Sequence, residues 1–183
     1  PMPYGDLVKQ EVQRFTTYED MIKNKCTIEE REEYDPWVKL EIPIYAGVDY
    51  GKILKKAEKE ADVIIWDGGN NDMSFYKPDL NIVVLDPHRA GHEMLYYPGE
   101  VNFKAADVLV INKMDSAPKE GIKKLMENIK KHNPKATVIK AASKLVIENP
   151  KSLKGEKVLI VGDGPTLTHG GMSFGAGTIA AKK

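Results

Sequence analysis

The chain is poor in cysteine, glutamine and arginine, and it has no long apolar run. Cys26 stands alone, so no internal disulfide can form. No charged, then apolar, then small-residue leader opens the chain, and the compartment expected is a reducing cytoplasm. Gln occurs only at Gln10 and Gln13, and Lys greatly outnumbers Arg, a usage that resembles heat-adapted proteins. The longest apolar stretches, such as 82–85 and 108–111, fall far short of the roughly 20 residues a membrane span needs, so no membrane role is expected. Lys plus Arg is 27 and Asp plus Glu is 27, which leaves no global basic field for gripping nucleic acid. Internal repeats and low-complexity tracts are also missing.

What remains is a chain of 183 residues, 42% apolar, with material for a sizeable core. Apolar runs of strand length alternate with amphipathic runs of helix length, the pattern of an α/β protein. A first helix is expected after Gly5, with Leu7, Val8, Val12 and Phe15 on one face. Thr27 and Glu30 form a capping box for a second helix, which Pro36 is expected to end. A short strand is expected over 42–46, and Asp49 then caps a helix carrying Ile53, Leu54 and Ala57. Four nearly continuous apolar runs, 63–66, 82–85, 108–111 and 158–161, suit central parallel strands covered on both faces. A fifth run, 137–139, comes after a helix from about Lys119 to Lys131 that Ser116 and Pro118 introduce. These elements predict a mostly parallel sheet between layers of helices, with ligands at the carboxyl ends of the strands.

The residues directly after each strand are therefore the candidates for chemistry. The run 63–66 leads into Asp67, Gly68, Gly69 and two asparagines. A carboxylate at a strand end, with glycines behind it, is what a nucleotide site uses to hold Mg²⁺ beside a γ-phosphate; a glycine-rich turn capped by Asp67 is the competing reading. The run 82–85 leads into Asp86, Pro87, His88, Arg89, Ala90, Gly91 and His92. Pro87 and Gly91 argue against the helix that would align His88 and His92 on zinc. Arg89 and His92 meeting an anionic substrate is the preferred reading, with a solvated loop as the alternative. The run 108–111 ends in Asn112, Lys113, Met114 and Asp115. At that place an Asp can accept two hydrogen bonds from the edge of guanine while Asn fixes the loop and the Lys stem covers the base. The run 158–161 leads into a loop with Thr168, His169, Gly170 and Gly171, a candidate anion cradle that lacks the lysine of a phosphate loop; a flexible connector is the alternative.

These residues resemble the archaeal cyclic 2,3-diphosphoglycerate synthetases and related GTPase-like proteins. The likeness is carried by Met-Pro-Tyr-Gly-Asp-Leu from Met2, Cys-Thr-Ile-Glu-Glu-Arg from Cys26, Tyr-Ala-Gly-Val-Asp-Tyr from Tyr45 and Trp-Asp-Gly-Gly-Asn-Asn-Asp from Trp66. It continues in Tyr-Pro-Gly-Glu from Tyr97, Asn-Lys-Met-Asp from Asn112 and Asp-Gly-Pro-Thr-Leu-Thr-His-Gly-Gly-Met from Asp163. It implies a P-loop nucleoside triphosphatase fold of the dethiobiotin synthetase and MinD kind, a three-layer sandwich. In the family the lysine-bearing phosphate loop precedes the segment equivalent to Met2, and no GxxxxGK[ST] occurs here. The chain is accordingly expected to be one incomplete domain, 1–183, cut from a longer protein. The resemblance further implies Asp67 at Mg²⁺, with either Asp6 or the acidic segment Glu29 to Glu33 facing metal or substrate, and Asn112, Lys113 and Asp115 at the base. It implies GTP or ATP as cofactor, a small phosphorylated substrate, and a homodimer. The reaction implied is an ATP-driven closure of a cyclic phosphoanhydride. A GTP-driven switch or metallocentre-assembly protein and a non-catalytic interaction domain are the alternatives.

Overall fold

A computed structural model of the chain describes residues 6–69, 72–147, 155–162 and 173–182. They fall into two compact units, one made of the residues up to Gly69 with Ser74–Lys77, the other of residues 72–73 and those from Pro78 onward.

The first unit is built on an antiparallel pair, β1 (Gln13–Phe15) and β2 (Ile44–Ala46), in which Arg14 faces Tyr45. The helix expected at the start is not formed: residues 7–10 make a turn, and the chain is already extended by Gln13. The reason is a period of two, since Gln13 and Phe15 are buried while Arg14 between them is exposed. Phe15 stacks on Tyr34 with ring centroids 4.7 Å apart, and together with Met21, Cys26, Val38 and Ala46 they make the core of this unit. Helix α1 (Tyr18–Lys23) starts at a Thr17–Asp20 capping box, and α2 (Ile28–Lys39) at the expected Thr27–Glu30 box. Pro36 does not end α2 but lies inside it. An interior proline costs about 3 kcal/mol, whereas burying Val38 in the turn beyond it recovers about 1.5–3 kcal/mol, and Tyr34 is buried on the other side. Helix α3 (Tyr50–Ala57) is capped by Asp49, whose carboxylate accepts the Lys52 N–H, and buries Ile53 and Ala57.

The second unit holds a parallel three-stranded sheet ordered β3 (Ile82–Leu85), β4 (Val108–Ile111), β5 (Thr137–Lys140). The register pairs Leu85 with Ile111 and Ile111 with Lys140, so the three carboxyl ends are level. Helix α4 (Tyr97–Ala105) connects β3 to β4 and α5 (Lys119–His132) connects β4 to β5. Leu85, Phe103, Leu109, Ile111, Leu125 and Ile129 form the core between sheet and helices. Asn133, buried just past α5, donates from Nδ2 to the carbonyls of Phe103 and Ala106, both at 2.9 Å, and so satisfies the end of α4. A short helix, α6 (Ala176–Ala181), closes the described chain.

The α/β class with helix-flanked parallel strands is as expected, but β3 and β5 are not covered on both faces, since Ile82, Val84 and Ile139 are exposed among the described residues, and two of the apolar runs are not strands. Residues 63–66 and 158–161 pair with no strand among the described residues, and Val63, Ile65 and Leu159 are more than three-quarters exposed. An apolar run states a need for burial; only a neighbouring strand edge makes it a strand.

Candidate nucleotide-binding site

The level carboxyl ends of β3, β4 and β5 bring three loops together. The chain leaves β4 at Asn112, whose N–H still donates to Leu85 O of β3 at 3.0 Å. Asn112 Oδ1 then accepts the Lys113 N–H at 2.8 Å, which holds Lys113 at φ +56°, a left-handed conformation rare for a side chain of this kind. The Met114 N–H returns to the sheet by donating to Ala141 O at 3.0 Å, and Asp115 Oδ1 accepts the Ser143 N–H, also at 3.0 Å. One carboxylate oxygen of an exposed Asp115 is thereby anchored to the loop after β5, and the residue faces outward from a fixed frame.

The loop after β3 is built on Asp86. Its Oδ1 accepts the His88 N–H at 3.0 Å and starts a short 3₁₀ turn (Pro87–Arg89). Its Oδ2 accepts Lys113 Nζ at 2.7 Å and faces Arg89 Nε at 3.5 Å. Burial pushes the Asp86 carboxyl up, but Lys113, the His88 N–H and Arg89 hold it below the usual carboxylate range, so it is charged. Among the described residues, Arg89 Nε is buried without a hydrogen-bond partner and has only this ion pair. The His88 ring meets Ser116 Oγ through Nε2 at 3.1 Å and the edge of Phe174 at 6.3 Å between centroids. His92 opens a second 3₁₀ turn (His92–Met94), is exposed, and packs edge-on to Tyr96. Beneath this loop α5 comes very close: a Cβ on Gly121 would lie 2.1 Å from Pro87 O, so only glycine fits.

Arg89, Asn112, Lys113 and Asp115 are thus brought to one rim, with Asp86 linking the first and third. His92 lies further along the same loop. Asp67, Gly68, Gly69 and Asp6 belong to the other unit. Asp67 is exposed, and Gly68 lies so close to the Trp66 ring that a Cβ there would come within 2.3 Å of it. Asp6 is engaged with the Val8 N–H at 3.2 Å and Lys9 Nζ at 3.5 Å. Thr168, His169, Gly170 and Gly171 lie outside the described residues. Among the described residues no group of three or more His, Cys, Asp or Glu could hold a metal ion, and no helix is long and apolar enough to cross a membrane. Mg²⁺ would need only one or two protein carboxylates here, with ligand phosphates and water supplying its other oxygens. The exposed, oxygen-donor Asp67 fits that demand better than Asp6, whose carboxylate is already engaged.

Sequence reasoning missed Ser143 and the linking role of Asp86. The rule that found the other candidates, inspection of the residues just past each strand, points to Ser143 as well, because β5 ends at Lys140.

A family model described as the P-loop domain of cyclic 2,3-diphosphoglycerate synthetase matches residues 43–142. The chain belongs to this family. The match covers every rim residue from Asp86 to Asp115 together with Asp67; Asp6 and residues 168–171 are outside it. An arginine synthetase (ArcE) of Thermococcus kodakarensis is 64% identical over 183 residues, all of this chain and 41% of that protein. A cyclic 2,3-diphosphoglycerate synthetase of Thermococcus sibiricus is 32% identical over 116 residues, 62% of this chain and 26% of that protein. The chain therefore spans about two-fifths or less of the curated relatives it matches. No solved structure matches it. Both relatives are synthetases, and membership of a P-loop domain family associates the chain with nucleotide use.

Proposed function

We propose that this chain is the nucleotide-binding part of a synthetase that consumes a nucleoside triphosphate to turn a substrate oxygen into a leaving group. The observation that carries the reading is the rim at the ends of β4 and β5. There Asn112 fixes the loop, Lys113 offers its stem, and Asp115 is anchored through one oxygen by the Ser143 N–H. A carboxylate in that frame suits an edge bearing two adjacent N–H donors, which is guanine, and suits adenine poorly because adenine presents an acceptor beside its donor.

Arg89 and His92, on the neighbouring loop, are suited to an anionic substrate, and Asp67 would hold Mg²⁺, which neutralises phosphate charge when bound. Thr168, His169, Gly170 and Gly171 have the composition to cradle a phosphate. In this chemistry the γ-phosphoryl group passes to a substrate oxygen, releasing the nucleoside diphosphate; a second group then attacks the activated centre and phosphate departs. For a cyclic anhydride the attacking group is the substrate's own neighbouring phosphate. For arginine it is a nitrogen attacking an activated ureido carbon. The 64% identity over the whole chain favours arginine as the product; the family model favours the cyclic anhydride as the second reading.

The test supplies the full-length protein with Mg²⁺ and GTP or ATP, together with either the ureido analogue of arginine plus ammonia or 2,3-diphosphoglycerate. Formation of arginine with one nucleoside diphosphate per product supports the first reading, and a cyclic product the second. Nucleotide hydrolysis without either product would replace both with a GTP-driven switch.

A further inference from the structure

We propose that Asp86 is a positioning residue that holds Lys113 for the nucleotide base and ties it to Arg89 on the substrate side. The proposal rests on the reading of Asn112, Lys113 and Asp115 as the base site. A free lysine stem samples many rotamers, and any ligand that uses it must first immobilise it. Here the stem is immobilised already. The left-handed backbone at Lys113, fixed by Asn112 Oδ1, turns the side chain back toward β3, where Asp86 Oδ2 receives its Nζ at 2.7 Å. The Asp86 side chain is 14% exposed and the Lys113 side chain 34%, so the pair is partly withdrawn from water while much of the lysine remains within reach of a ligand.

The same oxygen faces Arg89 Nε at 3.5 Å, and the other oxygen caps the turn that carries His88 and Arg89. One carboxylate thus serves two cations drawn from two loops. A shift of Lys113 on nucleotide binding acts on the partner that orients Arg89. Neither cation forms an ion pair with a second acid among the described residues, and the local excess of positive charge suits an anion arriving beside Arg89.

The experiment is a double-mutant cycle in the full-length protein, read as the dissociation constants of fluorescent GDP and ADP. Asp86→Asn keeps an oxygen that can cap the His88 N–H but removes the charge that holds Lys113; Asp86→Ser is the second charge-removing variant should the first not fold. Charge removal is expected to weaken the preferred nucleotide about 10-fold, within the range of couplings between contacting residues. Lys113→Met should weaken it similarly. The double variant should bind within about twofold of Lys113→Met alone, because the two act through one contact. Asp86→Glu should recover most of the affinity, which a role confined to shaping the loop does not require. A loss on Asp86→Asn of equal size in the presence and absence of Lys113 would overturn the assignment, as would no loss at all. If Lys113→Met binds like the wild type, the base-site reading fails and this assignment falls with it. If Lys113→Met is weakened and Asp86→Asn is not, the base site stands and only the role of Asp86 is lost.

Discussion

Replacing Gly121 by alanine sets two effects of opposite sign against each other. Gly→Ala at a compatible helical position stabilises by about 0.4–1 kcal/mol, because the unfolded chain loses freedom. At Gly121 the new methyl would lie 2.1 Å from Pro87 O, about 1.3 Å inside the 3.4 Å at which ordinary contact begins, with Pro87 C at 3.2 Å and Ala90 Cβ at 3.8 Å. The obstacle is backbone, so the strain cannot be relieved by rotating a side chain. Overpacking of this kind costs about 1–3 kcal/mol, so the clash wins by roughly 1–2 kcal/mol. For a chain of this length that is a fall of about 3–6 °C in Tm. The displaced segment is the turn after Asp86, so α5 would push the loop that positions Lys113 and Arg89. A misplacement near 1 Å is enough to lower nucleotide affinity about 10-fold or more. Thermal unfolding and nucleotide titration of Gly121→Ala measure the two effects separately. A raised Tm with unchanged affinity would refute the packing of α5 against Pro87.

Asn133→Ala removes the donor for two buried carbonyls and should cost about 2–4 kcal/mol in denaturant unfolding; a loss under about 1 kcal/mol would mean water replaces the amide. In the first unit, Arg14 binds Glu60 through both carboxylate oxygens, at 2.8 and 2.6 Å, and Tyr45 also donates to Glu60, holding its carboxyl down at about 2. Because the folded value is depressed, this contribution is present above the ordinary range near 4.5 and is lost as pH falls toward 2. Tm measured at about pH 6 and about pH 3 should differ less in Glu60→Gln than in the wild type; an equal difference would assign the acid sensitivity elsewhere. Asp67→Asn should abolish Mg²⁺-dependent turnover of the full-length protein while leaving Tm within about 2 °C, as for a surface substitution; retained turnover would remove Asp67 from the site.

The sheet was legible where burial and hydrogen bonding agreed. The runs at 82–85, 108–111 and 137–139 do form β3, β4 and β5, and Val83, Leu85, Leu109, Ile111 and Val138 pack with residues of α4 and α5, while Ile82, Val84 and Ile139 between them stay exposed; α5 is announced by the entry signal at Ser116 and Pro118. Residues 63–66 and 158–161 carry the same signal without a pairing edge among the described residues, which no local pattern reveals. The start of the chain failed for the opposite reason: Leu7, Val8, Val12 and Phe15 match a helical period, but the three residues of β1 keep to a period of two over too short a span to outweigh it. Helix α4 was not anticipated: Pro98 and Gly99 stand in its first turn, where proline is well placed, and they mask the helical signal of the residues behind them. In the site, Asn112, Lys113 and Asp115 were visible from their place after a strand. The contacts of Lys113 with Asp86 and of Asp115 with Ser143 span 27 and 28 residues, and such partners exist only once the strands are aligned.

The most direct test of the base site is an equilibrium titration of the full-length protein and its Asp115→Ala variant with fluorescent GDP and ADP in the presence of Mg²⁺. The wild type is expected to prefer GDP, and the variant to lose GDP affinity about 10-fold or more with ADP little changed, as when one charged hydrogen-bonding group is removed from a base edge. Equal affinity for the two nucleotides, with Asp115→Ala indistinguishable from the wild type, would contradict the assignment of the β4 and β5 rim to the base.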